Sequence, residues 1–154
     1  MKSIADLLAE QSVFAGIAPE MLALIAGCGV NTHFAPGRHL LREGDAADKF
    51  YVLRSGRVAV ETYAPPRGGL VVETLGAGDL VGWSWLFPPY RSHFDVVALE
   101  EVSAVALDGA CLRGKCDEDP AFGYELTRRI AQVVIERLQA TRMRLLDVYG
   151  DGRP

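Results

Sequence analysis

The spacing of apolar and polar positions changes twice along the chain. In the middle, short apolar runs alternate with turn residues such as Glu43-Gly44-Asp45, Ser55-Gly56 and the loop Pro65–Gly69. Runs of this length and spacing are typical of antiparallel strands, and they predict a roll or sandwich of about eight strands rather than a parallel sheet. The predicted strands are Asn31–Phe34, His39–Leu41, Phe50–Leu53, Val58–Tyr63, Leu70–Leu75, Leu80–Val81, Val96–Ala98 and Val102–Leu107.

Two short helices are predicted before the strands. Apolar residues recur at helical spacing within Ser3–Phe14, and Ser3 is the predicted N-cap of this first helix. Pro19 begins the second helix, because proline is favoured at the first helical position. Gly27 and Gly29 end that helix before the first extended segment.

Helical spacing returns after the strands. Asp108 is predicted to cap a short helix that runs through Lys115, and Asp119-Pro120 reads as an N-cap followed by proline at the first helical position. Apolar residues then keep a spacing of three and four as far as Gly150, the predicted stop. This last helix, of roughly 29 residues, would span about 44 Å.

These elements predict an α+β fold class with an antiparallel β jelly roll, short N-terminal helices and a long C-terminal helix. A chain of 154 residues fits a single domain with a real hydrophobic core. We expect N-terminal helices in residues 1–29, the β-roll in residues 30–108 and C-terminal helices in residues 109–149.

The long helix is expected to form a homodimer interface over Pro120–Tyr149. Its run Val133-Val134-Ile135 directs apolar groups in three directions, so the helix must be buried on more than the side that faces its own domain. The residues predicted to face a partner helix are Leu126, Ile130, Val134 and Leu138.

Composition excludes several classes of protein. The net charge of −4 and the pI near 5.4 give no electrostatic footprint for nucleic acid. Asp6 and Glu10 exclude a secretory signal, and the longest apolar run, Met21–Val30, is too short to cross a bilayer, so no membrane association and a cytoplasmic location are predicted. The arginines of the long helix are interpreted as a solvated face: Arg128, Arg129, Arg137, Arg142 and Arg144.

Candidate reactive and metal-ligating residues are few. Cys28, Cys111 and Cys116 are odd in number and lack a paired C-x-x-C spacing, so reduced and mostly buried thiols are predicted. No histidine spacing indicates a metal site, and no nucleophile–base pair or carboxylate pair indicates an enzyme. The sequence therefore predicts a protein that is neither an enzyme nor a metal protein.

The segment Gly78–Val102, which we call the cassette, predicts a binding pocket. It reads as strand, glycine turn, short helical segment, proline-bounded loop and strand. Gly82 permits a tight turn, and Pro88-Pro89 prevents the helical segment from continuing. Backbone N–H groups after that turn, together with the guanidinium of Arg91, are suited to one anionic group.

The chain resembles the cyclic nucleotide-binding domain family, to which the effector domains of catabolite activator proteins and of cyclic-AMP-dependent kinase regulatory subunits belong. The resemblance covers nearly the whole chain and implies the jelly-roll fold. It is carried by Val13–Ile17 with Pro19-Glu20, Phe34–Gly37, Leu41–Asp45, Phe50–Val58 and Leu75–Asp79, in this order.

The resemblance implies a glutamate that holds the ribose 2′-hydroxyl and an arginine that holds the cyclic phosphate. Gly82 matches the glycine of that motif, but Trp83 stands in place of the glutamate. Arg91-Ser92 matches the arginine locally, whereas counting back from Ala98 places Ser92 at the arginine position. A one-residue shift in an extended segment reverses the facing of a side chain, so Arg91 has two readings, inside or outside the pocket.

Two hypotheses of function follow. In the first, a stand-alone sensory module binds a small anion in the roll and signals through the C-terminal helix to a second copy or a partner protein. In the second, the pocket is plugged by tryptophan and the chain acts only by dimerisation or interaction. The candidate ligand-binding residues are Gly82, Trp83, Ser84, Trp85, Arg91, Ser92 and His93.

The ligand is expected to be a small anion, with cyclic AMP and cyclic GMP bound weakly or not at all and no certain cofactor. Trp83 and Trp85 are read either as an aromatic wall for a flat ligand or as side chains that fill a vacated pocket. Transcription factors resembling this domain append a helix-turn-helix after the long helix, and the chain stops at Pro154, so direct DNA binding is not expected.

Overall fold

The protein folds into two four-stranded antiparallel sheets flanked by helices, which confirms the predicted α+β jelly roll. The computed structural model describes residues 1–66 and 68–151; Arg67, in the predicted Pro65–Gly69 loop, and residues 152–154 lie outside them. The strands are β1 Gly29–Phe34, β2 His39–Leu41, β3 Lys49–Ser55, β4 Val58–Tyr63, β5 Gly69–Leu75, β6 Leu80–Val81, β7 Asp95–Ala98 and β8 Val102–Asp108. The α-helices are α1 Ile4–Ala9, α2 Pro19–Ala26, α3 Gly109–Glu118 and α4 Pro120–Asp151, and 3₁₀ turns span Ser12–Phe14 and Ser84–Leu86.

The two sheets differ in what covers them. The order of the first is β1-β8-β3-β6 and that of the second is β2-β7-β4-β5. In β3, Tyr51 and Leu53 point between the sheets, whereas Phe50 and Val52 point to the helices. A strand buried on both faces needs a continuous apolar run, which is why β3 reads as one.

The predicted helix starts are confirmed by their caps. Ser3 accepts a hydrogen bond from the Asp6 N–H at 3.1 Å, and the Asp6 carboxylate accepts one from the Ser3 N–H at 3.0 Å, which completes a capping box. The carboxylate of Asp108 accepts from the Cys111 N–H at 3.0 Å, and that of Asp119 from the Phe122 N–H at 3.2 Å.

The predicted end of the long helix was wrong by a short distance. Helix α4 continues through Gly150 to Asp151. A glycine inside a helix costs about 1 kcal/mol relative to alanine, and this cost lowers helix stability without terminating the helix.

The first half of α4 (residues 120–134) packs against the domain itself. Phe122, Leu126 and Ile130 are buried in a core with Leu8, Ile25 and other residues of the N-terminal helices. The prediction that Leu126 and Ile130 face a partner helix is therefore wrong. Their 3–4 spacing was read correctly, but that face covers the first sheet and the helices around it.

In the second half of α4 (residues 135–151) most side chains are exposed. The large apolar members of this exposed set are Ile135, Leu138, Met143, Leu145, Leu146, Val148 and Tyr149. Val134, at the boundary, is half-buried. The predicted homodimer stays a prediction, now carried by this exposed face.

Two of the three cysteines form a disulfide, which corrects the prediction of reduced thiols. Cys28 and Cys111 are joined, with their Cα atoms 5.9 Å apart and 83 positions apart in sequence. The pairing of β1 with β8 brings them together, because the Asp108 N–H donates to the Cys28 carbonyl at 2.9 Å and α3 begins at the next residue. Spacing along the sequence carries no trace of such a long-range pair.

Candidate functional site

A cavity of about 470 Å³ opens between the second sheet, the cassette and helix α4. Its volume lies in the range of small-molecule sites. The sheets contribute apolar side chains, among them Val60, Val72, Leu75, Val81 and Val96. Helix α4 contributes Val134, Arg137, Leu138, Thr141 and Arg144.

The glycine turn that precedes the cavity wall has the backbone expected from the sequence. Gly82 adopts a φ of +89°, in the left-handed region that side chains disfavour. A Cβ at this position would also lie 3.0 Å from Leu41 Cδ1. The turn therefore places Trp83 and Ser84 on the cavity wall directly after β6.

The two tryptophans of the cassette have different roles. Trp85 is fully buried, and its ring stacks on Phe50 with centroids 4.6 Å apart and planes 7° apart. Gly109 allows this placement, because a Cβ there would lie 2.7 Å from Trp85 Cβ. Trp83 is half-buried, and the guanidinium carbon of Arg137 lies 5.1 Å from its ring centroid. Both residues lie around the cavity, but only Trp83 has side-chain surface left to face its open volume, because the ring of Trp85 is fully buried against Phe50.

Helix α3 contacts the cassette through the side chain of Arg113. The guanidinium of Arg113 donates to the Trp85 carbonyl and lies 4.2 Å from the centroid of the Tyr90 ring. The ammonium of Lys115 donates to the Leu24 carbonyl of α2 at 2.7 Å. Together with the disulfide, these contacts join the N-terminal helices to the cassette through one helix.

Arg91 lies outside the cavity. Its guanidinium donates to the Gly44 carbonyl at 3.0 Å, and its backbone pairs with Ala46. Ser92 is only 7% exposed and lines the cavity, as does His93. Of the two readings of this segment, the geometry matches the one in which Arg91 points away.

Helix α4 supplies two of the three basic side chains that line the cavity among the described residues, which sequence reasoning missed. Arg137 and Arg144 line it, although both were interpreted as part of a solvated face. Arg129 is also no solvated charge, because it pairs with Glu125 at 2.9 Å and donates to carbonyls of the segment before α2. Positions 129, 137 and 144 are separated by about two helical turns each, and this spacing was the available signal that they share a face.

Arg137 is the most enclosed of these cations. It donates to the Leu80 carbonyl and lies over Trp83. Burial lowers the pKa of Arg137, and the nearby carboxylates of Glu73 and Asp79 act in the opposite direction. An arginine stays protonated under such conditions, so Arg137 is a fixed positive charge between α4 and the roll.

Arg144 is more exposed than Arg137 and has weaker contacts with its neighbours. Its side chain is 49% exposed, lies 3.9 Å from the Glu73 carboxylate and donates to the Thr141 hydroxyl at 3.1 Å. Glu73 is the one acidic residue among the side chains that line the cavity, as far as residues 1–66 and 68–151 show, whereas the basic ones are Lys49, Arg137 and Arg144. The lining therefore has a surplus of positive charge.

The described part of the chain, residues 1–66 and 68–151, holds neither a membrane-spanning helix nor a metal-binding cluster of side chains. Among these residues, no helix combines the length and apolar character needed to cross a membrane. No group of three or more histidine, cysteine, aspartate or glutamate side chains is arranged to hold a metal ion in the same part.

The fold and the cavity define a two-sheet β-roll whose pocket is closed on one side by a C-terminal helix. The profile of the family described as "Cyclic nucleotide-binding domain" matches residues 31–119, more than half of the chain. The chain belongs to the cyclic nucleotide-binding domain family, which consists of regulatory domains.

Individual relatives agree with this membership. A crystal structure of a cyclic nucleotide-binding protein from Geobacter metallireducens superposes with a TM-score of 0.80 at 28% identity, covering 90% of this chain and 99% of that one. The CRP-like cAMP-activated global transcriptional regulator of Mycobacterium tuberculosis is 26% identical over 97% of this chain and 65% of its own length. Glutaminase 1 of Bradyrhizobium diazoefficiens is 33% identical over 85% of this chain and 21% of its own length. The chain thus spans less than two thirds of either curated relative.

Proposed function

We propose that this domain is a sensory module that binds a small anion in the β-roll cavity and transmits occupancy through helix α4. The observation that carries the proposal is that α4 itself forms one wall of the cavity, with Arg137 and Arg144 among the lining residues. A ligand that contacts these side chains changes the free energy with which the second half of α4 rests on the roll. Such differential contact is what couples a binding site to a conformational equilibrium.

The cavity fits cyclic AMP and cyclic GMP poorly. The ribose acceptor that the family resemblance implies is replaced by Trp83, and Arg91 is engaged with the Gly44 carbonyl outside the cavity. One unmet buried hydrogen bond costs about 1–3 kcal/mol, which weakens binding about tenfold to a hundredfold. We therefore infer that the ligand is an anion other than a cyclic nucleotide.

The test is a binding panel of cyclic AMP, cyclic GMP, citrate and 2-naphthoate, followed by tryptophan fluorescence and calorimetry. We expect saturable binding of at least one non-nucleotide anion and slower hydrogen exchange in residues 134–148 of the bound protein. Val72→Trp, which fills the cavity, should abolish binding, whereas Val71→Trp on the adjacent exposed position should not. Absence of binding across the whole panel would contradict the proposal, and micromolar cyclic AMP binding that Arg91→Ala removes would restore the family's nucleotide mechanism.

A second candidate is an interaction module that needs no ligand. The exposed apolar residues on the second half of α4 favour it, because large apolar side chains clustered on an exposed surface are typical of interaction sites. In that case Val72→Trp would leave self-association and partner binding unchanged. In the sensory module, the same substitution should alter hydrogen exchange of α4.

A further inference from the structure

The walls of the cavity favour a ligand with an apolar body. The surface offered to a ligand is formed mainly by valine and leucine side chains, by Phe94 and by Trp83. A ligand rich in hydroxyl groups would bury them against these side chains without partners, at about 1–3 kcal/mol for each unmet hydrogen bond. A hydrocarbon or aromatic body would instead gain from leaving water, and Trp83 offers a ring for contact.

The anionic end of the ligand is expected at Arg144 rather than at Arg137. Arg137 is enclosed and already engaged by the Leu80 carbonyl, the Trp83 ring and the fields of Glu73 and Asp79. Arg144 has one distant ion pair, to Glu73 at 3.9 Å, and one hydrogen bond to Thr141 on its own helix. Because both arginines lie near Glu73, that carboxylate can remain beside Arg137 while Arg144 turns to a ligand.

We propose that the cavity takes an apolar monocarboxylate, with the hydrocarbon or aromatic body between Trp83 and the roll and the carboxylate on the guanidinium of Arg144. This inference rests on the proposed function and names the chemical class of its ligand. A planar guanidinium pairs with a carboxylate through two parallel hydrogen bonds, which fixes orientation as well as charge. One carboxylate is sufficient, since Glu73 already offsets part of the positive charge of the lining.

The position of Arg144 gives this ligand a direct route to helix α4. Arg144 lies in the second half of α4, about two turns beyond Arg137. A carboxylate bound there replaces the 3.9 Å contact with Glu73 by a closer one from inside the cavity. Binding should therefore order the second half of α4 against the roll.

The test compares 2-naphthoate with its neutral analogue 2-naphthamide by calorimetry, on the wild-type chain and on two variants. We expect the acid to bind at least about tenfold tighter than the amide, as a charge-assisted hydrogen bond implies. Arg144→Gln should reduce that preference to about twofold or less. Arg142→Gln, a matched loss of charge on an exposed position of the same helix, should retain the preference. Thermal unfolding of each variant verifies the fold, and the indole N–H resonance of Trp83 reports contact in the cavity.

The outcomes separate the two proposals. If citrate or a cyclic nucleotide binds and perturbs the Trp83 resonance whereas 2-naphthoate does not bind, the ligand class is overturned and the sensory module stands. If 2-naphthoate binds equally well to the wild-type chain and to Arg144→Gln, or no better than the amide, the placement of the charge is overturned. If none of these compounds binds, both proposals fail.

Discussion

The two halves of helix α4 have similar apolar content and opposite surroundings. Ile130, in the first half, is 3% exposed within the domain's own core, whereas Ile135, little more than one turn later, is 50% exposed. Both belong to one uninterrupted helix. The first half is therefore part of the core, while the second half extends from it as an arm of mostly exposed side chains.

The second half of α4 is attached to the roll by only a few side-chain contacts. Arg137 donates to the Leu80 carbonyl and lies over the Trp83 ring, and Arg144 lies 3.9 Å from the Glu73 carboxylate. An element with few buried contacts detaches locally at a low cost in free energy, and such elements are typical of those that move in regulation. A small attachment of this kind is easily strengthened or weakened by a ligand.

The largest expected effect comes from Ile130→Ala, which removes buried side-chain volume. We expect it to lower the free energy of unfolding by about 2–5 kcal/mol. The matched change Ile135→Ala should alter it by less than about 0.5 kcal/mol, since that side chain is exposed. Urea unfolding at submicromolar protein concentration, where association contributes little, measures both. Equal effects would mean that the two halves do not differ as described.

The next largest expected effect on the free energy of unfolding comes from loss of the disulfide, which stabilises the core that includes the first half of α4. Cys28→Ser with Cys111→Ser should lower the free energy of unfolding by about 2–4 kcal/mol, because the link closes a long loop. Cys116→Ser is the control, as this thiol is free. Unfolding with and without dithiothreitol should show the same loss in the wild-type chain and in Cys116→Ser, and no loss in the double variant. An unchanged midpoint on reduction would contradict a stabilising link.

Self-association tests the second half. Ile135, Leu138, Leu145 and Tyr149 lie at intervals of three, seven and four residues, which match the a and d positions of a heptad seam, and all four are exposed. We expect Ile135→Glu with Leu145→Glu to weaken dimerisation at least about a hundredfold, roughly 3 kcal/mol, with the fold unchanged. Ala35→Glu with Ala77→Glu adds the same charge on exposed loops and should leave dimers intact. Sedimentation showing a monomeric wild-type chain at micromolar concentration would refute the homodimer.

Loss of the contacts that Arg137 makes with the roll should have a smaller effect, measured as hydrogen exchange in the second half of α4. Arg137→Met removes the hydrogen bond to the Leu80 carbonyl and the contact with Trp83, about 1–2 kcal/mol of local docking. Hydrogen exchange should accelerate about fivefold to thirtyfold in the second half of α4 and stay unchanged in the first. Arg142→Met serves as the exposed control. Uniform acceleration along the whole helix would indicate general destabilisation instead.

The smallest effect concerns Cys116, at the junction of α3 and α4. Burial, and secondly the charge of Asp117, raises the pKa of the Cys116 thiol. The thiolate is the reactive form, so a raised pKa means less of it at neutral pH and a rate that keeps rising into the alkaline range. We expect iodoacetamide to modify Cys116 more slowly at pH 8 than a cysteine placed by Gln139→Cys in the exposed arm. Equal rates, measured by mass spectrometry, would contradict this difference.

The β-roll could be predicted from the sequence because the patterns that indicate its strands and turns are local. Strand runs, the capping residues Ser3 and Asp119, and the glycine at 82 each report the conformation of their own neighbourhood. The jelly roll and the order of elements followed from such signals, together with the family resemblance. The end of α4 was misplaced because a single glycine is only a weak stop signal.

The remainder of the site depends on contacts between distant segments. The disulfide of Cys28 with Cys111 requires the pairing of β1 with β8, which no spacing encodes. The role of Arg137 requires knowledge of which face of α4 meets the cavity, and a helix apolar in three directions leaves that face undetermined. The cavity lies at the cassette, and ligand binding by the cassette residues stays a prediction; two of the three basic side chains that line the cavity in the described part of the chain belong to a helix that had been assigned to a partner.

The close approach of Gly109 to Trp85 links two positions that are far apart in the chain. A Cβ at 109 would sit 2.7 Å from Trp85 Cβ, so position 109 can gain a side chain only if the residue at 85 shifts or shrinks. In an alignment of relatives, this should appear as covariation. A bulky residue at position 85 should occur together with glycine at position 109, and larger residues should occur at position 109 only where residue 85 is small. Chains that keep both members of the pair would share this cavity wall, which offers a criterion for choosing, from sequence data, the homologues to test with the same ligand.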